Sequence, residues 1–162
     1  MIVVLMGPAG AGKTTLGRAL AAALDWPFRD ADELHELAAI DKMRRGEPLT
    51  DDDRWPWLAR VRDVIADAHR AGESLVIACS ALRAGYRRFL TGDVAQAVRF
   101  VYLEANRELL VDRLDHRTAH FAHADLVDSQ LATLERPSDA LVLDASQPVS
   151  QMVDTIRRSL HV

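Results

Sequence analysis

The chain has 162 residues, 49% hydrophobic and 27% charged, with a formal charge of −4. That length suits one globular domain with a real core, and the composition excludes a disordered tail protein. The acidic balance counts against a general nucleic-acid binder. A single cysteine rules out an intrachain disulfide and fits a reducing, cytoplasmic setting, and no apolar run reaches the ~20 residues of a membrane span.

Residues 2–6 (IVVLM) form a continuous β-branched run, the mark of a strand buried on both faces. Unflanked by basic residues and leading straight into glycines, it is not a signal peptide. A small-residue loop follows at 7–12. Leu16, Ala19, Leu20, Ala23 and Leu24 then share one helical face, ended by Pro27. Residues 27–29 are a short second strand, and 30–45 read as one helix broken by Gly46-Glu47-Pro48. Thr50 with Asp53 forms a capping box, Pro56 lies near the start of the helix proper, and an apolar stripe runs on to Gly72 as C-terminal cap.

Residues 74–79 (SLVIAC) and 98–103 (VRFVYL) are further strands, with a helix at 83–90 between them. Helices at 106–116 and 125–134, a last strand at 141–143 and an amphipathic helix at 149–160 complete the chain. Strand–helix alternation implies parallel βαβ units and a doubly wound sheet. The polar stretch 116–124 lacks periodicity and reads as an excursion from this frame.

Gly7-Pro8-Ala9-Gly10-Ala11-Gly12-Lys13-Thr14 fits G-x-x-x-x-G-K-[ST] at every fixed position, between a strand and a helix. A chain of this make-up has about 4 chances in 10,000 of containing the pattern by accident. Glycines let backbone N–H groups turn around an anion, and the helix N-terminus adds its unpaired amides. Lys13 reaches the β- and γ-phosphates, and the Thr14 hydroxyl is a Mg²⁺ ligand. Thr15, next at the helix start, is read with residues 7–14 as ATP-binding. Asp30 and Asp32 follow the second strand, where a doubly wound sheet forms its ligand crevice. There they serve either as metal-side acid and proton acceptor, or as a helix cap with a first-turn acid. The strand at 74–79 has no terminal acid of the Walker-B kind, and no guanine-recognition motif is present, which disfavours a motor or GTPase.

Several further blocks are specific. They are Asp30-Ala31-Asp32-Glu33-Leu34-His35, Lys42-Met43, and the run Gly46-Glu47-Pro48-Leu49-Thr50-Asp51-Asp52-Asp53-Arg54-Trp55-Pro56-Trp57-Leu58. Cys79-Ser80-Ala81-Leu82-Arg83, Tyr86-Arg87, Arg113-Leu114, Arg117, His120-Phe121, Ser129-Gln130, Leu134-Glu135 and Pro137 follow. With the phosphate loop, their order and spacing resemble the bacterial-type gluconokinase family, from Met6 to about Pro148.

The resemblance implies a fold like nucleoside-monophosphate and shikimate kinases: a five-stranded parallel sheet flanked by helices, with a lid at about 116–124 and a substrate-binding helical segment at about 30–60 within one P-loop kinase domain. It implies transfer of the ATP γ-phosphoryl group to the 6-hydroxyl of D-gluconate, with Mg²⁺, in a homodimer. By position, Asp32 accepts the hydroxyl proton and Asp30 lies near the metal, directly or through water. His35, Arg54 and Arg87 face the sugar acid. Arg113 lies toward adenine or phosphate, Arg117 toward the transferring phosphoryl group, and the 145–148 loop borders adenine. The chain departs from the family pattern at Glu36, where Pro is usual, at Ala38, where Asn is usual, and at Ala119, where Gly is usual.

Other features have plainer readings. His116, His120 and His123 with Asp125 have zinc-like spacing, but a polar lid segment accounts for them. Trp55 and Trp57 read as packing, Cys79 as a small core residue, and Ser80 as a helix N-cap or a contact to substrate or metal-bound water. Two rivals remain: a kinase for another small hydroxy acid such as shikimate or another aldonate, and a nucleotide-binding regulatory protein without turnover.

Overall fold

The structure is a computed structural model that describes residues 1–45, 47, 49–116 and 123–162. Strands β1 (Ile2–Met6), β2 (Phe28–Asp30), β3 (Leu75–Ala78), β4 (Val98–Glu104) and β5 (Leu141–Asp144) form one sheet in the order β2-β3-β1-β4-β5. Every pairing is parallel, with Val4 opposite Ile77 on one side and Phe100 on the other. All C-terminal strand ends therefore meet along one edge, where an open α/β sheet forms its ligand crevice.

The alternation of β1 fills two cores. Ile2, Val4 and Met6 face α3 (Asp51–Arg70) and α4 (Ala84–Thr91), packing against Leu58, Val61, Ile65 and Leu90. Val3 and Leu5 face the other way, toward α1 (Lys13–Leu24), α5 (Arg107–Asp115), α6 (His123–Thr133) and α7 (Val149–Leu160). A central parallel strand is covered by helices on both faces, so its sequence is apolar throughout rather than alternating.

Two local expectations are corrected. Residues 30–45 are not one helix. Asp30 ends β2, Ala31–Leu34 make a 3-10 turn, and α2 (Leu37–Arg44) begins only after extended backbone at His35 and Glu36. The Asp30 side chain takes the Asp32 amide at 3.1 Å, which starts the tight turn and diverts the chain from a regular helix. Pro56 lies inside α3 rather than at its start. Thr50 and Asp53 form the expected capping box and begin the helix at Asp51. Pro56 then removes only the amide that would reach Asp52, an exposed residue whose carbonyl water can serve.

Candidate active site

The loop between β1 and α1 wraps the N-terminus of α1. Gly10 has φ +83°, and a Cβ there would stand 2.8 Å from the Leu110 carbonyl oxygen, so a larger residue would push the loop off α5. The Lys13 ammonium donates to the Pro8 carbonyl at 2.9 Å. The Arg113 guanidinium donates to the Ala11 carbonyl at 3.2 Å and to the Ala145 carbonyl at 2.7 Å, joining the loop to the segment after β5. Beside it runs a cleft of about 440 Å³, lined by Ala11, Gly12, Thr15, Arg113, Ala145 and Gln147 among others. Amides at a helix start next to a partly apolar cleft suit a nucleoside triphosphate, with phosphates at the loop and base in the cleft.

Thr14 and Asp30 meet: the hydroxyl donates to Oδ2 at 2.7 Å. These hard oxygens fit the donor set of Mg²⁺, which takes one or two protein oxygens beside phosphate and water. Asp30 thus joins the phosphate loop and caps the turn that carries Asp32.

That turn is held from α3. Trp57 Nε1 donates to the Ala31 carbonyl at 2.6 Å, and Arg60 Nε donates to the Leu34 carbonyl at 2.7 Å. Asp32 is exposed on the turn, yet protein groups near its carboxylate partly desolvate it, and this raises its pKa. Lys13 opposes the rise, Asp30 adds to it, and His35 opposes it. His35 lies on Trp57 with ring centroids 4.5 Å apart and planes 8° apart. Burial lowers its pKa, with Asp32 opposing and Arg60 and Arg54 assisting, so the imidazole is neutral at physiological pH. Its buried Nδ1 has no hydrogen-bond partner among the described residues.

Arg54 is half-buried, 3.4 Å from Asp51, and near enough to His35 to act on its charge. Asp51 also pairs with Arg83 at 3.1 Å and accepts from the Tyr86 hydroxyl at 2.6 Å. Arg87 is buried, and its Nη1 donates to the carbonyls of Ala81 (3.0 Å) and Leu82 (3.1 Å). That nitrogen holds the loop after β3, so any contact with substrate rests on the other guanidinium nitrogens. Ser80 does not cap α4. Arg83 occupies that position, Glu135 Oε2 receives the Ala84 amide at 2.7 Å, and the Ser80 carbonyl accepts from the Gly7 amide at 3.3 Å. Arg117, Ala119, His120 and most of the 116–124 segment, like Gly46 and Pro48, lie outside the described residues.

Sequence reasoning attached no role to Asp51, Arg60, Arg83, Tyr86, Gln130 or Glu135. Each works through a partner distant in sequence, so spacing carried no signal. The blocks quoted for the resemblance contain Asp51, Arg83, Tyr86, Gln130 and Glu135, and Arg60 lies in none of them.

A parallel five-stranded sheet, a phosphate loop with Lys13 and Thr14 in place, and acids at the end of β2 define a P-loop kinase. The shikimate kinase family model matches residues 9–160. The gluconokinase of Gluconobacter oxydans is 46% identical over 137 residues, covering 85% of this chain and 76% of that protein. The crystal structure of a gluconokinase from Sinorhizobium meliloti is 37% identical, with TM-score 0.85, covering 98% of this chain and 94% of that one. An unliganded sugar kinase from Janibacter is 39% identical, with TM-score 0.89, covering 99% and 94%. The chain belongs to the gluconokinase family, within the wider reach of the shikimate kinase model.

Proposed function

We propose that this kinase transfers the γ-phosphoryl group of ATP to the 6-hydroxyl of D-gluconate, giving 6-phospho-D-gluconate and ADP. The observation that carries the reading is the pair Asp30 and Asp32. One acid takes the Thr14 hydroxyl, and the other lies within electrostatic reach of Lys13, in a chain 46% identical to a gluconokinase.

The loop amides and Lys13 hold the triphosphate, and Arg113 with the 145–148 segment borders the base. Mg²⁺, when bound through Thr14 and Asp30, neutralises phosphate charge. The acceptor oxygen attacks the γ-phosphorus as the bond to the β–γ bridging oxygen breaks. Its proton passes to the Asp32 carboxylate, and ADP leaves. His35 and Arg54, with Arg87, orient the sugar acid, whose carboxylate suits a guanidinium fork. Arg117 neutralises charge on the moving phosphoryl group. This reading includes a lid at about 116–124, a homodimer and a cytoplasmic setting. The last is supported by the lone Cys79, a core thiol that burial pushes up to about 12. No helix among the described residues is long and apolar enough to cross a membrane.

The test is ADP release with Mg·ATP and D-gluconate, other aldonates, shikimate or nucleoside monophosphates. Turnover selective for gluconate is expected. Selectivity for another acid would move the specificity to the 35–54 segment, where Ala38 departs from the family pattern. Nucleotide binding with no turnover on any acceptor would favour a regulatory protein.

A further inference from the structure

The peptide between Pro8 and Ala9 is held at both ends. Its carbonyl accepts from the Lys13 ammonium at 2.9 Å, and its N–H donates to Gln130 Oε1 at 2.6 Å. In a trans peptide these two groups point in opposite directions, so the plane is fixed between a lysine on α1 and a glutamine on α6. Gln130 lies 121 residues from Ala9 and is half-buried. The helix that carries it is itself tied to α5, where Arg107 Nε meets Asp128 at 2.6 Å and His123 meets Asp115 at 2.9 Å. On the far side of the loop, Arg113 of α5 takes the Ala11 carbonyl. The phosphate loop is therefore gripped by adjacent helices, at Ala9 from α6 and at Ala11 from α5.

We infer that Gln130 is a positioning residue for phosphoryl transfer: by holding the Ala9 amide it fixes the Pro8–Ala9 peptide so that its carbonyl faces Lys13 and sets where the ammonium stands. The plane turns about ψ of Pro8 and φ of Ala9, and the proline ring fixes its own φ but not that ψ. Without an acceptor at Ala9, the plane is free to rotate and present its N–H toward Lys13, which repels the cation from its station. Lys13 is the group that reaches the β- and γ-phosphates, so its misplacement acts on transfer rather than on acceptor binding.

The inference rests on the reading of the loop as the ATP cradle, and its test separates the two. The first readout is the Ala9 amide proton in the nucleotide-free protein, followed by NMR. In Gln130→Leu, which keeps the bulk and removes the acceptor, this resonance moves upfield. In Gln130→Glu, which restores an acceptor at the same reach, it returns downfield. The second readout is steady-state kinetics with Mg·ATP and D-gluconate. Gln130→Leu lowers kcat by about 10-fold with the acceptor KM unchanged and the thermal midpoint kept. An Ala9 resonance that ignores Gln130→Leu overturns the inference, as does an unchanged kcat once that resonance has moved. If the leucine variant does not fold, hydrogen exchange at Ala9 in the unaltered protein decides: exchange as fast as in an unstructured chain overturns it. Failure of the unaltered protein to turn over ATP strikes the functional reading instead and leaves the Ala9 measurement intact.

Discussion

His35 stacks on Trp57 in near-parallel contact, and its buried Nδ1, beside the turn that carries Asp32, has no partner among the described residues. A buried polar atom without a partner costs about 1–3 kcal/mol, so it persists where something later satisfies it. A sugar-acid hydroxyl is such a group. His35→Phe keeps the stack and removes the nitrogen. The acceptor KM should rise about 5–20-fold, the KM for ATP should not move, and the fold should hold. An unchanged acceptor KM would remove His35 from the substrate site.

The proposed role of Asp32 as proton acceptor requires it to be ionised, and desolvation raises its pKa. The acid limb of the kcat/KM profile, which reports the free enzyme, should therefore have its midpoint above the ~4 of an ordinary carboxylate. Asp32→Asn should lower kcat by at least ~10² while ATP still binds. The raised pKa also has a sign for stability. Asp32 contributes most below its unfolded pKa, and the contribution is lost as pH rises through the folded one. At pH 7 the ionised form is a burden, so Asp32→Asn should melt no lower than the unaltered chain. Any gain should shrink as pH falls into the ordinary carboxylate range. Calorimetry at pH 7 and pH 4 checks this, and a variant that melts lower at pH 7 contradicts it.

Gly17 lies in α1 where the helix crosses β2. A Cβ there would collide with the Phe28 ring and stand 3.2 Å from Leu5 Cδ1. Alanine gains up to ~1 kcal/mol of helix propensity and loses ~1–3 kcal/mol to overpacking. The second effect wins, so Gly17→Ala should cost about 1–2 kcal/mol in urea unfolding.

The fate of residues 30–45 shows what the sequence made legible. The phosphate loop was readable because its eight residues are contiguous and each type has one local reason. Strands β1 and β3 were readable because burial on both faces leaves unbroken apolar runs. The break at His35 was not, since the bonds holding the turn come from Trp57 and Arg60, each 26 residues from its acceptor. No periodicity within 30–45 records them. The tie between Gln130 and Ala9 escaped for the same reason. Arg87 was noticed through its motif, but its burial against the Ala81 and Leu82 carbonyls depends on how α4 meets the end of β3.

That burial yields a fourth expectation. Ala81 stands in the left-handed region at φ +44°, and the Arg87 bonds help hold it there. Arg87→Met removes two charged hydrogen bonds, an effect of about 1.5–3 kcal/mol, and the thermal midpoint should fall by roughly 3–12 °C. If stability holds while the acceptor KM rises, Arg87 serves the substrate rather than the loop.

The order β2-β3-β1-β4-β5 also bears on biosynthesis. β1 emerges before either neighbour, and its second partner is complete only when Tyr102 is added. At about 5–20 residues per second the ribosome needs roughly 5–20 s to cover that interval. Until Ala78 is added the apolar IVVLM segment has neither partner, and until Tyr102 it lacks one, the kind of sequence that associates between nascent chains. The phosphate loop that follows, made of small residues and one lysine, does little to shield it. Yield on expression should therefore depend more on chaperone supply during synthesis than on the stability of the finished fold.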